Sequence, residues 1–152
     1  MSAAKDLRIL DSIEVSRAGK DALPFVLDSW AESFRRANRG MPTSAFHAWH
    51  RSLRERILSR HPMVLVARDR EDPAFLYGWL CAEAREAFTL HYAYTKASFQ
   101  GQGVAGLLLD TAQNVGSQIF VLEGREPERF YSHQGKWTRY LQSRGFTYRA
   151  AR

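Results

Sequence analysis

Apolar side chains recur at helical spacing in the first part of the chain and predict two amphipathic helices there. The first helix stops at Gly40-Met-Pro42, and its apolar stripe consists of Leu23, Val26, Leu27, Trp30, Phe34 and Ala37. The second begins at Thr43 or Ser44 and ends before His61-Pro62, with an apolar face formed by Phe46, Trp49, Leu53 and Ile57. Each helix therefore has one face to bury against another layer of the protein.

Short runs rich in β-branched and aromatic residues predict the strands. The first is Glu14–Ala18, and a hairpin of Met63–Ala67 and Phe75–Ala84 leads to the strand Phe88–Thr95. The remaining elements are a helix from Val104 to about Val115, a short apolar strand at Ile119–Leu122, a helix near Gly135–Ser143 and a final short strand at Phe146–Arg149. The predicted order is strand, two helices, three antiparallel strands, helix, strand, helix, strand.

Size and composition are those of one globular domain, and we expect residues 1–152 to fold as a single unit. The chain is 45% hydrophobic, with 4 Trp, 6 Tyr and 9 Phe to build a core. No apolar run approaches the roughly 18 residues of a membrane span, and the N-terminal residues lack the apolar segment of a secretory signal. Since the single Cys81 cannot form an internal disulfide, we expect a reducing, cytoplasmic location.

The net charge of +6 is distributed unevenly. Residues 35–60 contain seven Arg and one Glu, and residues 124–152 contain seven basic side chains and two Glu. The forked guanidinium group of arginine suits phosphates and carboxylates. The two segments could therefore meet an acidic partner, or they could form an ordinary solvated surface.

A glycine-rich turn lies between the strand Phe88–Thr95 and the helix that follows it. Gly101 and Gly103 stand within the segment Gln100–Ala105. The first N–H groups of a helix have no partner inside the helix, and the helix dipole is positive there. Glycine lets the backbone approach a phosphate closely. The turn therefore predicts a phosphorylated ligand at Gln100–Ala105.

Two known motifs overlap in this turn. The segment Gly101–Gly106 is a G-x-G-x-x-G, the dinucleotide-binding pattern, with Glu123 twenty residues after Gly103. That pattern needs the turn to follow its strand at once, but five residues separate Thr95 from Gly101, and only 29 residues follow Glu123. A better match is Gln100-x-x-Gly103-x-Ala105, which resembles the acyl-CoA motif of the GNAT superfamily of N-acyltransferases.

The resemblance to the GNAT superfamily covers nearly the whole chain. Val15-Ser-Arg17-Ala18-x-x-Asp21 resembles the first strand and helix start of that family, and the segment Tyr140–Phe146 resembles its last helix and turn. The implied fold is α/β (α+β), a mixed and mostly antiparallel sheet with helices on both faces and a short or missing last strand. Either a second subunit in a homodimer completes this sheet, or its edge stays short and is blunted by Arg149 and Arg152.

The resemblance also implies acetyl-CoA as a co-substrate. Its pantetheine arm would lie in a gap between the strands Phe88–Thr95 and Ile119–Leu122, and a backbone N–H near Tyr92–Tyr94 would polarise the thioester carbonyl. The implied cofactor-binding residues are Tyr94, Thr95, Gln100, Gly101, Gln102, Gly103, Val104 and Ala105.

Attack of an amine on a thioester needs a base and benefits from an acid. Glu83 and His91, on adjacent predicted strands, are the candidates for the base. In the structural alternative, Glu83 is a solvent-face residue and His91 a half-buried histidine. The family usually has its acid, a tyrosine, at the position of Leu141, so the candidates here are Tyr140, one residue away, and Tyr131 in the preceding loop. The family's frequent Asn after the fifth strand is also absent.

These residues predict an acetyl-CoA-dependent N-acetyltransferase that moves an acetyl group to a primary amine of an unidentified acceptor by direct attack. The alternative is a non-catalytic GNAT-fold module that binds nucleic acid through residues 35–60 and 124–152, which the missing Tyr and Asn favour. No metal site is predicted, because His47-x-x-His50 has no evident third ligand.

Overall fold

The computed structural model describes residues 8–37, 39–133 and 135–150, which build an α/β fold around a six-stranded sheet. The strands are β1 (Ile13–Arg17), β2 (Met63–Asp69), β3 (Leu76–Ala84), β4 (Phe88–Thr95), β5 (Arg129–Tyr131) and β6 (Thr147–Tyr148). The helices are α1 (Leu23–Ala37), α2 (Thr43–Leu58), α3 (Val104–Leu122) and α4 (Thr138–Ser143). Strands β1 to β4 are antiparallel neighbours, and β5 and β6 extend the sheet in parallel. The expected mixed, mostly antiparallel sheet with a short last strand is confirmed.

Two apolar layers cover the sheet, one on each face. Leu108 of α3 belongs to one core cluster, and Trp30 of α1 belongs to the other. Strand β3 is buried along almost its whole length, as expected of a central strand that is covered on both faces. Because side chains alternate along a strand, Leu80 packs in the α3 layer and Trp79 in the α1 layer. The predicted helices on both faces are thus confirmed.

Strand β4 has an irregularity at His91. Leu90 pairs with Ala82 of β3, whereas the next pair is Tyr92 with Cys81, so that β4 carries one extra residue at this point. Such a β-bulge bends the strand and increases its local twist. Strand β5 pairs only with the first three residues of β4, so beyond the bulge the two strands diverge.

The predicted strand Ile119–Leu122 is wrong, because these residues form the last turn of α3. The helix continues past Val115 since Ala112, Gly116 and Phe120 keep one side buried at a spacing of four residues. The two residues after Phe120 are exposed. A run of four apolar residues cannot by itself distinguish a strand from a buried helical turn.

The strand that lies beside β4 comes instead from a charged segment that the sequence predicts to be a loop. Within β5, Tyr131 is buried, Phe130 is half-buried and Arg129 is exposed. One inward side chain in three residues is too weak a pattern to predict a strand. The gap proposed for a pantetheine arm is therefore bounded by β4 and β5, and not by residues 119–122.

The other predicted elements appear with small changes at their ends. Phe88–Thr95 is confirmed to the residue, and the hairpin before it is slightly longer in its first strand. The last helix begins at Thr138, and the last strand keeps only Thr147–Tyr148. Within the described ranges, no helix combines the length and the apolar character needed to cross a membrane.

Candidate functional site

A cavity of about 1000 Å³, here called the main cleft, occupies the gap that opens where β4 and β5 diverge. Its walls are the second half of β4, the first turn of α3, one side of α1 and the segment that joins β5 to α4. Since α1 and α3 lie on opposite faces of the sheet, a ligand in the main cleft can reach from one face to the other.

The backbone of β4 offers hydrogen-bonding groups to the main cleft. The N–H of Lys96 donates to the carbonyl of Tyr77, on the β3 side, at 2.9 Å. Because backbone groups alternate along a strand, the N–H groups of Ala93 and Thr95 point away from β3 and toward the cleft. The Gln100 side chain donates to the carbonyl of Thr95 at 3.2 Å, which ties this edge to the glycine turn.

The turn before α3 brings a helix N-terminus to the cleft. Gly103 is the N-cap of α3, and its φ of 91° lies in the left-handed region that glycine tolerates best. The first N–H groups of α3 have no partner within the helix, and the dipole is positive at this end. This part of the main cleft therefore suits an anion such as a phosphate.

Seven of the eight predicted cofactor-binding residues line the main cleft, namely Tyr94, Thr95, Gln100, Gly101, Gly103, Val104 and Ala105. The exception is Gln102, whose side chain donates to the carbonyl of Ser98 at 3.3 Å. Their contact with a cofactor stays a prediction.

The two candidates for the base lie in direct contact. His91 Nε2 is 2.6 Å from Glu83 Oε1, and the two residues are 2% and 9% exposed. The interpretation of Glu83 as a solvent-face residue is therefore wrong. Burial lowers the pKa of His91, and the hydrogen bond to Glu83 opposes that shift. A lowered pKa leaves the imidazole neutral near pH 7 and able to accept a proton.

Sequence analysis missed Ser132, whose Oγ lies 2.9 Å from Nδ1 of His91. Ser132 directly follows β5 and donates its backbone N–H to the carbonyl of Leu90 at 3.0 Å, at the point where β4 and β5 separate. The residue could not be found from the chain because its position depends on a strand that the hydrophobic pattern does not predict.

No family model and no curated protein matches the chain. Among solved structures, the GCN5-related N-acetyltransferase from Rhodopseudomonas palustris matches 91% of this chain and 83% of its own, with 9% identity and a TM-score of 0.61. The PaiA N-acetyltransferase from Thermoplasma acidophilum, in complex with coenzyme A, matches 71% of this chain and 74% of its own, with 18% identity and a TM-score of 0.54. This chain has the GNAT fold. AAC(6′)-Iy, in complex with a bisubstrate analogue of CoA, also matches, with 19% identity over 92% of this chain and 93% of its own and a TM-score of 0.53.

The observed fold is not that of a dinucleotide-binding domain, although the turn contains the G-x-G-x-x-G pattern. Such a domain needs a parallel sheet with the glycine turn directly after a strand, whereas β4 is antiparallel to β3 and the short helical turn Ala97–Phe99 separates it from Gly101. In the described part of the chain, no three His, Cys, Asp or Glu side chains are grouped in a way that could hold a metal ion.

Tyr140 lies in the main cleft even though it is one residue away from the usual GNAT position. Its hydroxyl is 3.7 Å from the point that a Cβ would occupy on Gly106, at the start of α3. Arg144 Nη1 donates to this hydroxyl at 2.8 Å. Because a guanidinium can only donate, the hydroxyl proton of Tyr140 remains available to another acceptor. Leu141, at the usual position of the tyrosine, is 3% exposed and packs in the core.

The end of the main cleft near α1 is aromatic inside and charged at its rim. Ser33 and Tyr92 share a hydrogen bond of 2.6 Å, and the ring of His133 lies 5.0 Å from that of Tyr92. Burial lowers the pKa of His133, which makes it a neutral wall residue near pH 7. At the rim, Arg36 and Glu32 form an exposed ion pair of 2.7 Å.

The two basic segments differ in how their arginines are used. In the second segment, Arg125 donates to two backbone carbonyls of the turn between β3 and β4, and Arg144 binds Asp110 at 2.7 Å. In the first segment, Arg51 is exposed on α2 and Arg54 is half-buried. Binding of nucleic acid by these segments stays a prediction.

Proposed function

We propose that this protein is an N-acetyltransferase that moves the acetyl group of acetyl-CoA directly to a primary amine. The observation that carries the proposal is the main cleft itself, which joins the unpaired edge of β4 to the N-terminus of α3. In CoA, the pantetheine amides can form hydrogen bonds with a strand edge, and the pyrophosphate that follows them needs an anion site. This order of groups matches the order of features along the main cleft. The solved neighbours with coenzyme A or a CoA analogue support this choice.

The backbone supplies most of the proposed CoA contacts. The pyrophosphate binds N–H groups of the segment Gly101–Ala105, including that of Gln102, and is stabilised by the positive end of α3, whereas the N–H of Gln100 already donates to the carbonyl of Ala97. The pantetheine amides bind along β4, at Tyr94 and Thr95. Glycine at 101 and 103 keeps Cβ atoms away from the phosphates.

The chemistry is an attack of the free amine on the thioester carbonyl carbon. The N–H of Ala93 points into the cleft beside the bulge and donates to the oxygen as negative charge develops on it. The tetrahedral intermediate then expels the CoA thiolate, and Tyr140 protonates that sulfur. The pair Glu83 and His91 removes the proton that the amine must lose.

Ligand choice gives the first test. Acetyl-CoA at about 100 times its Kd should stabilise the native protein by about 2.7 kcal/mol, which raises the Tm by roughly 5–10 °C for a chain of this size. NAD at the same concentration should leave the Tm unchanged. A thermal-shift assay measures both, and stabilisation by NAD with no response to acetyl-CoA would contradict the proposal. Labelled acetyl-CoA incubated with cell fractions would then show which amine receives the acetyl group.

The acid is tested by removing one hydroxyl at a time. Tyr140→Phe should slow acetyl transfer while the Kd for acetyl-CoA stays constant. The loss should stay below roughly 100-fold, because a thiolate leaves more easily than the groups that need a strong general acid. The matched control is Tyr131→Phe, whose hydroxyl accepts a hydrogen bond from Gln142 at 3.2 Å. Equal rates in the two variants would show that neither hydroxyl protonates the thiolate.

A further inference from the structure

The side chain of Tyr140 is held in place by two neighbours. Its ring stacks on that of Trp137, with the ring centroids 4.9 Å apart and an angle of 25° between the planes. Its hydroxyl oxygen accepts a hydrogen bond of 2.8 Å from Nη1 of Arg144. Tyr140 and Trp137 line the main cleft, whereas Arg144 does not. Arg144 therefore acts on the main cleft only through the hydroxyl of Tyr140.

Helix α3 fixes the position of the Arg144 side chain. Nη2 of Arg144 donates to Asp110 Oδ1 at 2.7 Å and to Gln113 Oε1 at 2.6 Å. Asp110 and Gln113 are three residues apart, so they share one face of the helix. A guanidinium is planar and rigid, so the contacts of Nη2 also set the direction in which Nη1 points. With 26% of its side chain exposed, Arg144 meets little competition from water for these contacts.

The bond from Arg144 limits where the hydroxyl proton of Tyr140 can point. A phenol has one proton to donate, and a guanidinium cannot accept it. In the part of the chain that the structure describes, no protein group accepts this proton, so a group in the main cleft is free to do so. The positive charge of Arg144 also stabilises negative charge that develops on the hydroxyl oxygen as the proton leaves.

We propose that Arg144 is the positioning residue for Tyr140, which aims the hydroxyl proton at the sulfur of CoA and stabilises the phenolate that remains. The inference rests on the proposed acetyl transfer and assigns to it a residue that touches neither substrate. Because Tyr140 is half-buried at the edge of the core, packing alone does not fix its hydroxyl. Arg144, four residues later on the same side of the chain, supplies the missing contact.

The proton balance of this step is closed. When the tetrahedral intermediate collapses, the C–S bond breaks and its electron pair goes to the sulfur. The proton of Tyr140 moves to that sulfur, which leaves CoA as a free thiol and Tyr140 as a phenolate. Arg144 keeps all its protons and donates to the phenolate throughout. The phenolate then takes a proton from water in the main cleft, because phenols are protonated in water at pH 7.

The kinetic test combines Arg144→Met with Tyr140→Phe and uses benzylamine as the probe acceptor. Methionine has an unbranched side chain but no hydrogen-bond donor, and Arg144→Met should lower kcat about 10-fold. The Kd for acetyl-CoA, measured by calorimetry, should stay constant because Arg144 does not line the main cleft. In the Tyr140→Phe background the same change should have no further effect on kcat, because no hydroxyl is left to position. Losses that multiply would show that Arg144 acts elsewhere and would overturn the proposal.

Two further variants separate the contact of Arg144 from its charge and from its place on α4. Arg144→Lys keeps a positive charge and a donor, and it should recover part of the lost kcat. The matched control is Arg139→Met, because Arg139 is an exposed arginine on the same helix. This control should keep the kcat of the parent. A loss as large as that of Arg144→Met would show an effect common to both arginines and would overturn the specific role of Arg144.

A second measurement does not depend on acetyl transfer. In protein with nitrogen-labelled arginine, a guanidinium that is bonded on both Nη groups rotates slowly and gives separate NMR signals for them. Arg144, assigned by comparison with Arg144→Met, should show such separate signals, and Tyr140→Phe should remove the one from Nη1 only. A single averaged signal in the parent would overturn the proposal whatever the activity. The expected signals in a protein that acetylates no amine would contradict the proposed function and leave the contacts of Arg144 supported.

Discussion

Gly103→Val should abolish binding of acetyl-CoA in a protein that still folds. Gly103 has a φ of 91° at the start of α3, where the proposed pyrophosphate site requires a close approach of the backbone. A Cβ there would lie 3.2 Å from Cδ1 of Leu10, so the branched side chain of valine must displace Leu10 or shift the backbone that approaches the phosphate. It also strains the backbone by about 1–3 kcal/mol, which a domain with a typical stability of roughly 5–15 kcal/mol can tolerate. Isothermal titration calorimetry measures the affinity.

The matched control for this variant is Gly124→Val. Gly124 also has a positive φ, of 69°, and no atom lies within 4 Å of the position its Cβ would take. It follows α3 at its other end and is not part of the main cleft. This control carries the backbone strain without a contact like that with Leu10, so it should show a smaller drop in stability and an unchanged affinity for acetyl-CoA. Unchanged affinity in Gly103→Val itself would remove the proposed pyrophosphate site.

Gly78→Ala should destabilise the protein by about 3 kcal/mol, near the upper end of the usual cost of overpacking, and should weaken CoA binding as well. A Cβ on Gly78 would lie 2.3 Å from the carbonyl oxygen of Tyr94 and 3.1 Å from the Cα of Thr95. These are backbone atoms that cannot rotate away, so β3 and β4 must separate at Tyr94 and Thr95, which also line the main cleft. Thermal unfolding should show a Tm roughly 6–12 °C lower.

Gly40→Ala is the control for this second change, because nothing lies within 4 Å of the Cβ position of Gly40. It adds the same methyl group in open space, and the Tm should stay close to that of the parent or rise slightly. If Gly78→Ala and Gly40→Ala have the same Tm, the protein does not require the close approach of β3 to β4 at Gly78.

The hydrophobic pattern is sufficient to predict the elements that have a long and regular buried face. The stripe Leu23, Val26, Trp30 and Phe34 on α1 combines spacings of three and four residues, which a helix satisfies and a strand does not. The sequence predicts β4 to the residue because aromatic and β-branched side chains fill it. The turn at Gly103 is also predictable from the sequence, because glycine adopts backbone conformations with positive φ that other residues rarely adopt. These features depend on neighbours in the chain.

The short elements at the end of the sheet are not predictable from the sequence, because their structure depends on residues that are distant in the chain. Ile119–Leu122 is apolar enough for a strand, yet Phe120 is buried by the continuing stripe of α3. The strand β5 has only Tyr131 as a buried residue, and its pairing with β4 is what makes it a strand. For runs of three or four residues, pairing and packing partners outweigh local propensity.

The sequence alone determined the types of most elements and the glycine turn, and it predicted Glu83 and His91 as the candidates for the base. Tertiary structure decided how these residues act. The bulge at His91 separates β4 from β5 and opens the main cleft, and Ser132 reaches His91 across 41 positions in the chain. Contacts of that range arise only when the sheet assembles, because side chains that far apart in sequence leave no local pattern to read.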